Sequence, residues 1–504
     1  MAFFSFVSEF WGWQWTDIQV FLFFSAVFLL LTDYAKNIQP ANFPPGPRAL
    51  PFIGNLFTVD FKKLHENCTQ LSEKYGDVYS LRMGQTWMVV LNGYQTIKEA
   101  LVAQGASMAD RPIQPILEDV NLNLGVISSN GHRWKQQRQF ALSTLKYFGV
   151  GKKSLESAIL DEFKYLSTYI AEYKGKPFNP HLIINNAVSN IICSLVFGHR
   201  FEYSNARFQK VMSMFDQALQ IQGSIWAQLY NSFPVIMRRL PGPHQSVQNI
   251  WNEMVIKDYL DVMQSDNAAI NPSKSIMYNL MCSLWTPQTK DNVSSTFDEE
   301  NLAICTLDLF VAGSETTSTT LRWGFLYMSK YPEIQEKVQA EIDRVVGRSR
   351  QPTMADRTSM PYTEAVIHEV QRMGNIVPLS VPRMTSKDVR LGGYVIPKGV
   401  TIITNLTSVM FDKSEWKTPY TFNPGHFLNE KGNFDKRASF IPFSAGKRVC
   451  LGENLARMEL FLFFTSFMQR FSFSMPPGVK HAMDYNFGVT LSPVSYEICA
   501  TLRQ

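Results

Sequence analysis

The sequence predicts a mainly α protein with a minor β part, preceded by one apolar helix near the N-terminus. Long stretches with helical patterning fill most of the chain, and two short hairpin patterns interrupt them. A continuous apolar segment stands near the start. Because the predicted helices are long and the strands few, we expect helices to form most of the core.

The composition is that of a large globular chain. It has 504 residues, of which 45% are hydrophobic and 18% charged, which is enough for an extensive core. The net charge of +5 is too small to indicate a nucleic-acid partner, but it suits an anionic membrane surface or an acidic protein. Six cysteines without a C-x-x-C pair are typical of free, mostly buried thiols in a reducing compartment.

Residues 1–35 are predicted to form an uncleaved membrane anchor. An aromatic cluster over residues 3–15 precedes the apolar run Ile18–Leu31, and such a cluster can extend a short span into the interface. A cleaved signal peptide is disfavoured because no basic start and no small-residue cleavage site are present. A buried core helix fits the one-sided aromatic cluster poorly. Basic residues after the segment predict that the rest of the chain is cytosolic.

Residues 36–50 are predicted to form a Pro-rich hinge. The run Phe43–Pro47 contains three prolines, which fix φ and push the preceding residues out of the helical region. This segment should therefore be a stiff, extended connector. The apolar stretch Phe233–Leu240 either dips into the membrane or faces the core, and its sequence favours neither.

Two hairpins and several long helices are predicted in the remainder. The hairpins span Val78–Leu91, turning at Gly84, and Val389–Ile403, turning at Gly392-Gly393. The long helices are predicted over residues 155–172, 297–328, 333–346 and 362–373.

The most specific motif runs from Phe443 to Gly452 and contains Gly446, Arg448 and Cys450. An iron-bound thiolate needs shielding and tuning. Phe443 can shield the sulfur from water, and Gly446 lets the backbone approach closely. A predicted helix over residues 453–464 would add its N-terminal dipole, and main-chain N–H groups would lower the basicity of the sulfur. A single cysteine is more often a structural thiol, but the ten-residue pattern indicates a metal ligand.

This stretch resembles the haem-binding loop of the cytochromes P450. The resemblance runs collinearly from the anchor to Pro493, is poorest between Trp251 and Ser295, and is closest to the microsomal family 2 enzymes, notably the J-type fatty-acid epoxygenases. It implies a cytochrome P450 fold in which residues 51–504 form a single catalytic haem domain. It also implies haem b as cofactor, with the axial thiolate from Cys450.

A Glu-x-x-Arg pair is the second family motif. Glu369 and Arg372 share a helix face, and a Pro-rich stretch and the second hairpin follow them, as in the family. Glu341 and Arg344 have the same spacing, but we interpret them as a surface pair. The family's third partner is usually an arginine. His426 stands at that position here, which weakens a charge pair but still permits a hydrogen bond.

The third motif is Ala312–Thr317, within an otherwise apolar helix. Gly313 costs roughly 1 kcal/mol relative to alanine, which makes sense if the helix must open beside the bound dioxygen. The resemblance then gives Thr316 a hydrogen bond to that oxygen and makes Glu315 a proton relay from solvent. The alternative is a helix whose hydroxyls bond to its own carbonyls, which the motif alone would favour.

Trp134 and Arg138 stand one helical turn apart, so their donors suit a haem propionate. By position in the family pattern, Arg111, Arg383 and Arg448 are further candidates. The alternative for each single arginine is a solvated surface group.

The resemblance implies reductive oxygen activation. The substrate is expected to be lipophilic, with hydroxylation or epoxidation of polyunsaturated fatty acids such as arachidonate and of xenobiotics. Alternatives are a reductase-independent lipid-hydroperoxide isomerase, which the Glu315–Thr316 pair disfavours, and a non-catalytic haem- or steroid-binding membrane protein. The expected apolar walls are residues 113–127, 225–230, 309–316, 377–381 and 487–491.

Electrons must come from another protein, because no flavin or nicotinamide motif is evident in the sequence. The resemblance implies NADPH–cytochrome P450 reductase, with cytochrome b5 as a further partner, at the endoplasmic reticulum membrane. Basic residues near the thiolate side are expected to form a docking face, which would otherwise be an ordinary solvated charge cluster. They are Arg133, Lys135, Lys146, Lys152, Lys153 and Lys447.

Overall fold

Helices dominate the ranges that the structure describes. The structure is a computed structural model of the chain and describes residues 15–147, 153–253, 296–480 and 483–503. In these ranges the longest strands have six residues, whereas one helix has 32. The prediction of a mainly α protein with a minor β part is therefore confirmed. The long predicted helices are also confirmed, with ends shifted by a few residues.

The α-helices of the described ranges are α1 (Trp15–Lys36), α2 (Leu64–Tyr75), α3 (Tyr94–Lys98), α4 (Pro115–Glu118), α5 (Gly131–Tyr147), α6 (Lys153–Ala171), α7 (His181–Val196), α8 (Ala206–Gln222), α9 (Ile225–Ser232), α10 (Pro234–Met237), α11 (Pro243–Glu253), α12 (Glu299–Lys330), α13 (Pro332–Val345), α14 (Pro361–Gly374), α15 (Thr407–Met410) and α16 (Glu453–Arg470). A π-helical turn, Glu99–Ala103, follows α3, and 3₁₀ turns cover Met354–Ser359, Pro424–Phe427 and Gly446–Arg448.

The strands of the same ranges are β1 (Val78–Met83), β2 (Thr86–Leu91), β3 (Arg383–Met384), β4 (Val389–Leu391), β5 (Tyr394–Ile396), β6 (Thr401–Thr404), β7 (Phe471–Ser474), β8 (Tyr485–Phe487), β9 (Leu491–Pro493) and β10 (Cys499–Leu502). The largest sheet has the order β1-β2-β6-β3. The antiparallel pairs β4-β5, β7-β10 and β8-β9 stand apart from it.

The first predicted hairpin is confirmed, and the second is shorter than predicted. β1 and β2 pair antiparallel around Gly84. β4 and β5 pair as predicted, but β6 leaves the hairpin and pairs parallel with β2. Pro397 lacks an N–H for a ladder, and Gly399 has φ +84°, so the chain turns between β5 and β6. The extension of the hairpin to Ile403 was therefore wrong.

Two buried helices form the centre of the molecule. α16 is buried along almost its whole length, as expected of a helix that is apolar on most sides. α12 packs closely on α7 at Gly313, where an added Cβ would lie 2.6 Å from Ile192 Cδ1. Ser314 and Thr317, in the same helix, are only 2% exposed. Within Ala312–Thr317, these two side chains therefore face the core, whereas Ala312 is exposed.

The anchor helix is joined to the rest of the chain by a buried ion pair. α1 has 22 residues and a mean hydropathy of 1.8, so by length and composition it can cross a membrane, although signal sequences pass the same test. Residues 1–14, with the predicted aromatic cluster, lie outside the described residues. Most of α1 is exposed, but Asp33 is 6% exposed and both its carboxylate oxygens accept from Arg82 Nη2 of β1, at 3.1 and 3.0 Å.

The Pro-rich segment packs along β1. Ser80 donates its main-chain N–H to the Pro45 carbonyl at 2.7 Å and its hydroxyl to the Pro44 carbonyl at 2.8 Å. A Cβ on Gly46 would lie 2.1 Å from the Ser80 carbonyl oxygen, so only glycine fits this close approach. The predicted connector is thus fixed to the sheet by main-chain contacts.

The interpretation of Glu341 and Arg344 as a surface pair was wrong for Glu341. Its carboxylate is buried and accepts from the N–H and the hydroxyl of Thr363, both at 2.7 Å, and from the N–H of Tyr362. It therefore satisfies free N–H groups at the start of α14. Arg344 is 68% exposed and stands 3.8 Å away.

Candidate functional site

Cys450 lies in a tight loop just before α16. Its N–H donates to the Phe443 carbonyl at 3.1 Å, which closes the loop. Gly446 has φ +73°, and a Cβ there would lie 1.7 Å from the Leu101 carbonyl oxygen. Only glycine fits, because the loop presses on the π-helical turn Glu99–Ala103. The close approach expected at Gly446 is therefore an approach to this neighbouring main chain.

The Cys450 sulfur lies among groups with opposing effects on its charge. Desolvation by the atoms packed around the sulfur raises the pKa of the Cys450 thiol, although the residue keeps access to solvent. Hydrogen bonds from the N–H groups of Gly452 and Glu453 and the charge of Arg138 act to lower this pKa. The Glu453 carboxylate opposes them, and the net pKa stays above its ordinary value. Cys450 is exposed, while the other described cysteines, Cys68, Cys193, Cys305 and Cys499, are buried.

The four predicted arginines lie close enough to repel one another. Burial and neighbouring guanidinium groups lower the pKa of Arg383 to about 10 and that of Arg448 to about 9. Burial and the charges of Arg448, Arg383 and Arg138 lower the pKa of Arg111. A guanidinium stays protonated at neutral pH, so three buried cations and the half-buried Arg138 call for anions beside them.

Two donors of this cluster fit such an anion. Trp134 Nε1 and Arg383 Nη1 are buried and have no hydrogen-bond partner in the described part of the chain. The guanidinium of Arg448 lies over the Trp134 ring, 4.0 Å from its centroid. Buried donors are normally paired, so unpartnered donors beside four cations suit a ligand with two carboxylates. These residues therefore fit the propionates of a haem.

Most N–H donors of Arg448 and Arg111 bond to main-chain carbonyl oxygens. Arg448 donates Nε to the Ala109 carbonyl at 2.7 Å and Nη2 to the Ser129 carbonyl at 2.6 Å. Arg111 Nη1 donates to the carbonyl of Val381 at 2.8 Å. Neither arginine is the solvated surface group considered as the alternative, since both are under 10% exposed. They tie the surrounding loops together and add positive charge.

Glu369, Arg372 and His426 form a buried cluster. Arg372 donates Nε and Nη2 to the Glu369 carboxylate at 2.8 and 2.7 Å, and neither side chain is exposed. The Thr418 N–H donates to His426 Nε2, so the hydrogen is on Nδ1, which lies 3.3 Å from both Glu369 oxygens. The histidine thus donates a neutral hydrogen bond where an arginine is usual. Arg372 Nη1 also donates to the Met410 carbonyl, which holds the following loops.

Glu315 and Thr316 lie side by side in the unbroken helix α12. Thr316 Oγ1 donates to the Ala312 carbonyl at 2.7 Å, as in the alternative considered from sequence. Its lone pairs remain able to accept. Two other hydroxyls donate to the Glu315 carboxylate and not to a helix carbonyl. Glu315 Oε1 accepts from Thr319 at 3.0 Å and from Thr490 of the β8–β9 turn at 2.8 Å. Packing on α7 explains the glycine at position 313 without any opening of the helix.

The predicted walls are joined by hydrogen bonds. The N–H of Ile116 donates to Asn231 Oδ1 at 3.1 Å, which links the first wall to α9. The N–H of Leu491 donates to the Ile376 carbonyl at 2.8 Å, which links the last wall to the segment after α14. The Thr490–Glu315 bond described above joins the last wall directly to the third. The other two bonds end one residue outside the second and fourth walls, at Asn231 and Ile376.

Sequence reasoning missed Asp308. Its Oδ2 accepts from the N–H groups of Val126 at 2.7 Å and Ile127 at 2.9 Å, so it holds the first wall against α12. Desolvation raises the pKa of Asp308 to about 7, against the effect of these two bonds and of Arg111. The available signal was one acidic residue in the apolar run before Ala312.

Comparisons with known proteins show the family of the chain. The family model "Cytochrome P450" matches residues 44–500. Cytochrome P450 2J2 of Homo sapiens is 49% identical over 490 residues, which cover 97% of each chain. Cytochrome P450 2J5 of Mus musculus is 47% identical over 491 residues, again 97% of each chain. Cytochrome P450 2K1 of Oncorhynchus mykiss is 43% identical over 485 residues, covering 95% of this chain and 96% of that protein.

Proposed function

Because the chain belongs to the cytochrome P450 family and is a family 2 haem-thiolate monooxygenase, we propose that it hydroxylates and epoxidises polyunsaturated fatty acids such as arachidonate. Xenobiotics of similar polarity would be further substrates. The observation that supports this proposal most directly is the hydrogen bond from Thr490, in the last of the predicted apolar walls, to Glu315, which lies beside Thr316 in the third. The resemblance to J-type fatty-acid epoxygenases supports it.

We propose that Cys450 is the axial ligand of haem b, with Phe443 and Gly446 shaping its loop. Trp134 and Arg383 would bind the propionates with their free donors. Arg138, whose Nη2 donates to the Val449 carbonyl at 2.7 Å, would bind them with its remaining donors, and Arg111 and Arg448 would contribute charge and hold the loops. When bound, the haem supplies the iron at which dioxygen is reduced by two electrons and divided between substrate and water. Glu369, Arg372 and His426 would hold the loops on the thiolate side.

Each turnover consumes two protons, which the chain must deliver. Thr316 is proposed to hold a proton beside the reaction centre, where its oxygen can accept one hydrogen bond and donate another. Glu315 is proposed to resupply that proton. Desolvation raises the pKa of the Glu315 carboxyl, opposed first by the charge of Arg322, so the group keeps a proton at a higher pH than an ordinary glutamate does.

The electrons are proposed to come from NADPH–cytochrome P450 reductase, with cytochrome b5 as a further donor. Lys135, Lys146, Lys153 and Lys447 are exposed, while Arg133 is only half-exposed. Lys152 lies outside the described residues. Such a positive surface mainly increases the rate of encounter with an acidic partner.

We propose the endoplasmic reticulum membrane as the location, with residues 1–35 as a single anchor, 36–50 as hinge and 51–504 as a cytosolic catalytic domain. The exposed apolar surface of α1 supports the anchor. In α10, Val235 and Ile236 are 64% and 58% exposed, which favours the membrane-dipping alternative for Phe233–Leu240.

Reconstituted turnover tests the proposed substrates. The full-length enzyme, with haem, reductase and NADPH in phospholipid vesicles, is incubated with arachidonate. We expect epoxy and hydroxy products whose formation requires NADPH. Absence of oxygenated product from any polyunsaturated fatty acid would contradict the substrate class, and rapid turnover of lipid hydroperoxides without NADPH would point instead to the isomerase.

A further inference from the structure

A small cavity lies beside Glu315, and the last predicted wall supplies part of its lining through Gly488, Val489 and Thr490. It lies between α7, α8, α12 and the β8–β9 hairpin. His181, Asp216, Glu315, Arg322 and Thr490 supply its charged and hydroxyl groups. A lining of this kind suits water rather than a lipophilic substrate.

The inner end of the cavity is Glu315. Its Oε1 accepts from Thr490 and Thr319, as described above. These two hydroxyls fix the carboxyl between α12 and the hairpin, where it lines the cavity. Among the residues that line the cavity, Glu315 is the one acidic residue of α12.

The outer end is a histidine–aspartate pair that reaches solvent. His181 Nε2 lies 3.0 Å from Asp216 Oδ2. The side chains are 33% and 15% exposed, so the histidine contacts bulk water and the aspartate lies behind it. The pair joins the first residue of α7 to α8. An imidazole is the side chain best suited to exchange protons with solvent at physiological pH.

Arg322 provides the second, independent observation. It is 4% exposed and lines the cavity, yet its Nη1 has no hydrogen-bond partner among the residues that the structure describes. Glu315 and Arg322 are seven residues apart and thus share a face of α12. A buried guanidinium N–H is rarely left unpaired, and water fits this position. An anionic ligand does not, because Glu315 and Asp216 would repel it.

We propose that His181 and Asp216 form the solvent end of a proton route that crosses water held by Arg322 and ends at Glu315. The proposal rests on the role of Glu315 in the proposed function. A water O–H bond breaks as the Glu315 O–H bond forms, and the proton lost by water is replaced from solvent through His181. No electron moves in this step. His181, Asp216 and Arg322 are positioning residues.

Infrared titration of the holoenzyme tests the cavity without turnover. The Glu315 carboxyl band is identified by its loss in Glu315→Gln. The charged groups of the cavity that face Glu315 are Asp216, His181 and Arg322, and Asp216 acts to raise the pKa of Glu315. Asp216→Asn should therefore lower the midpoint of the band's titration. An unchanged midpoint would show that Asp216 does not act on Glu315.

Turnover of the same variants tests the route. In Asp216→Asn and His181→Gln we expect a roughly tenfold loss of product per NADPH consumed, a larger solvent isotope effect, and more hydrogen peroxide. This loss is smaller than the roughly 100-fold or greater loss on removal of a general acid–base group, because the two residues act through Glu315. Asp161→Asn is the matched control, because Asp161 makes an exposed i,i+3 pair with Lys164. It should leave coupling and isotope effect at the wild-type values.

The two proposals fail in different ways. If Glu315→Gln impairs coupling while Asp216→Asn and His181→Gln behave like the control, the route is wrong and the role of Glu315 stands. If Glu315→Gln itself leaves the coupling and the isotope effect unchanged, the proposed role of Glu315 is wrong. If both cavity variants lose coupling together with Glu315→Gln, the route is supported.

Discussion

Among single residues, identical spacing led to two different roles. Glu369 and Glu341 each precede an arginine by three residues. Glu369 binds its arginine within the core, whereas Glu341 turns away from Arg344 to bind the start of α14. Flanking sequence selected the right pair, because a Pro-rich stretch and a hairpin follow Glu369. It could not show that Glu341 is buried, since that depends on how α13 packs against α14.

Glu369→Gln should destabilise the protein strongly. The substitution leaves the Arg372 guanidinium buried without a countercharge, which typically costs about 3–5 kcal/mol. Chemical denaturation of the holoenzyme would measure the loss. Asp161→Asn, which breaks an exposed pair, should cost only about 0–1 kcal/mol. Equal effects of the two substitutions would contradict a structural role for the Glu369 cluster.

Asp308 should make stability depend on pH. Its pKa is about 7 in the folded protein, against 3.8 ordinarily. Between these values the folded state binds a proton that the unfolded chain does not, so this contribution to stability decreases as pH rises from about 4 to about 7. In Asp308→Asn, the difference in denaturation midpoint between about pH 5 and about pH 8 should be smaller. An unaltered pH profile would show that the folded carboxyl is already ionised.

At the level of elements, the packing of α12 was not visible from its sequence. The residues Ala312–Thr317 indicated an unusual site, and the resemblance assigned the chemistry. The reason for Gly313 is instead the closeness of α7, which depends on a helix more than 100 positions earlier in the chain. Local periodicity predicts where a helix forms, but not which neighbour comes closest.

Gly313→Ala should be coupled energetically to Ile192→Val. The new Cβ would lie 2.6 Å from Ile192 Cδ1, the atom that valine lacks. We expect a favourable coupling free energy of about 1 kcal/mol in a double-mutant cycle of unfolding. Gly324→Ala is the control in the same helix, since its Cβ would meet Phe464 at 3.5 Å. It should stabilise by up to about 1 kcal/mol.

For the molecule as a whole, composition and patterning predicted the helical class, the anchor helix and the first hairpin. The parallel pairing of β6 with β2 was missed because some 300 residues separate the two strands. A short turn after Pro397 also ends the second hairpin before β6. The arginine cluster was predicted residue by residue from resemblance. The sequence could not show which arginines keep unpartnered N–H donors, because that depends on how the loops around them fold.

Charge reversal on the proposed docking face should weaken reductase coupling. In Lys135→Glu/Lys146→Glu, the KM for reductase should rise roughly tenfold at low salt and approach the wild-type value at high salt. Lys62→Glu, an exposed lysine outside the proposed docking face, is the control. A salt-independent change would indicate damage to the enzyme rather than loss of electrostatic steering.

Through the Asp33–Arg82 pair, helix α1 contributes to the stability of the sheet as well as serving as the proposed anchor. A soluble variant that begins after Lys36 would leave the Arg82 Nη2 group without its carboxylate partner in a strand that is otherwise buried. Such a variant should unfold at a lower temperature than the full chain, and Arg82→Gln should restore part of the difference only in the shortened form. Anyone shortening this protein for crystallisation should therefore redesign position 82 along with it.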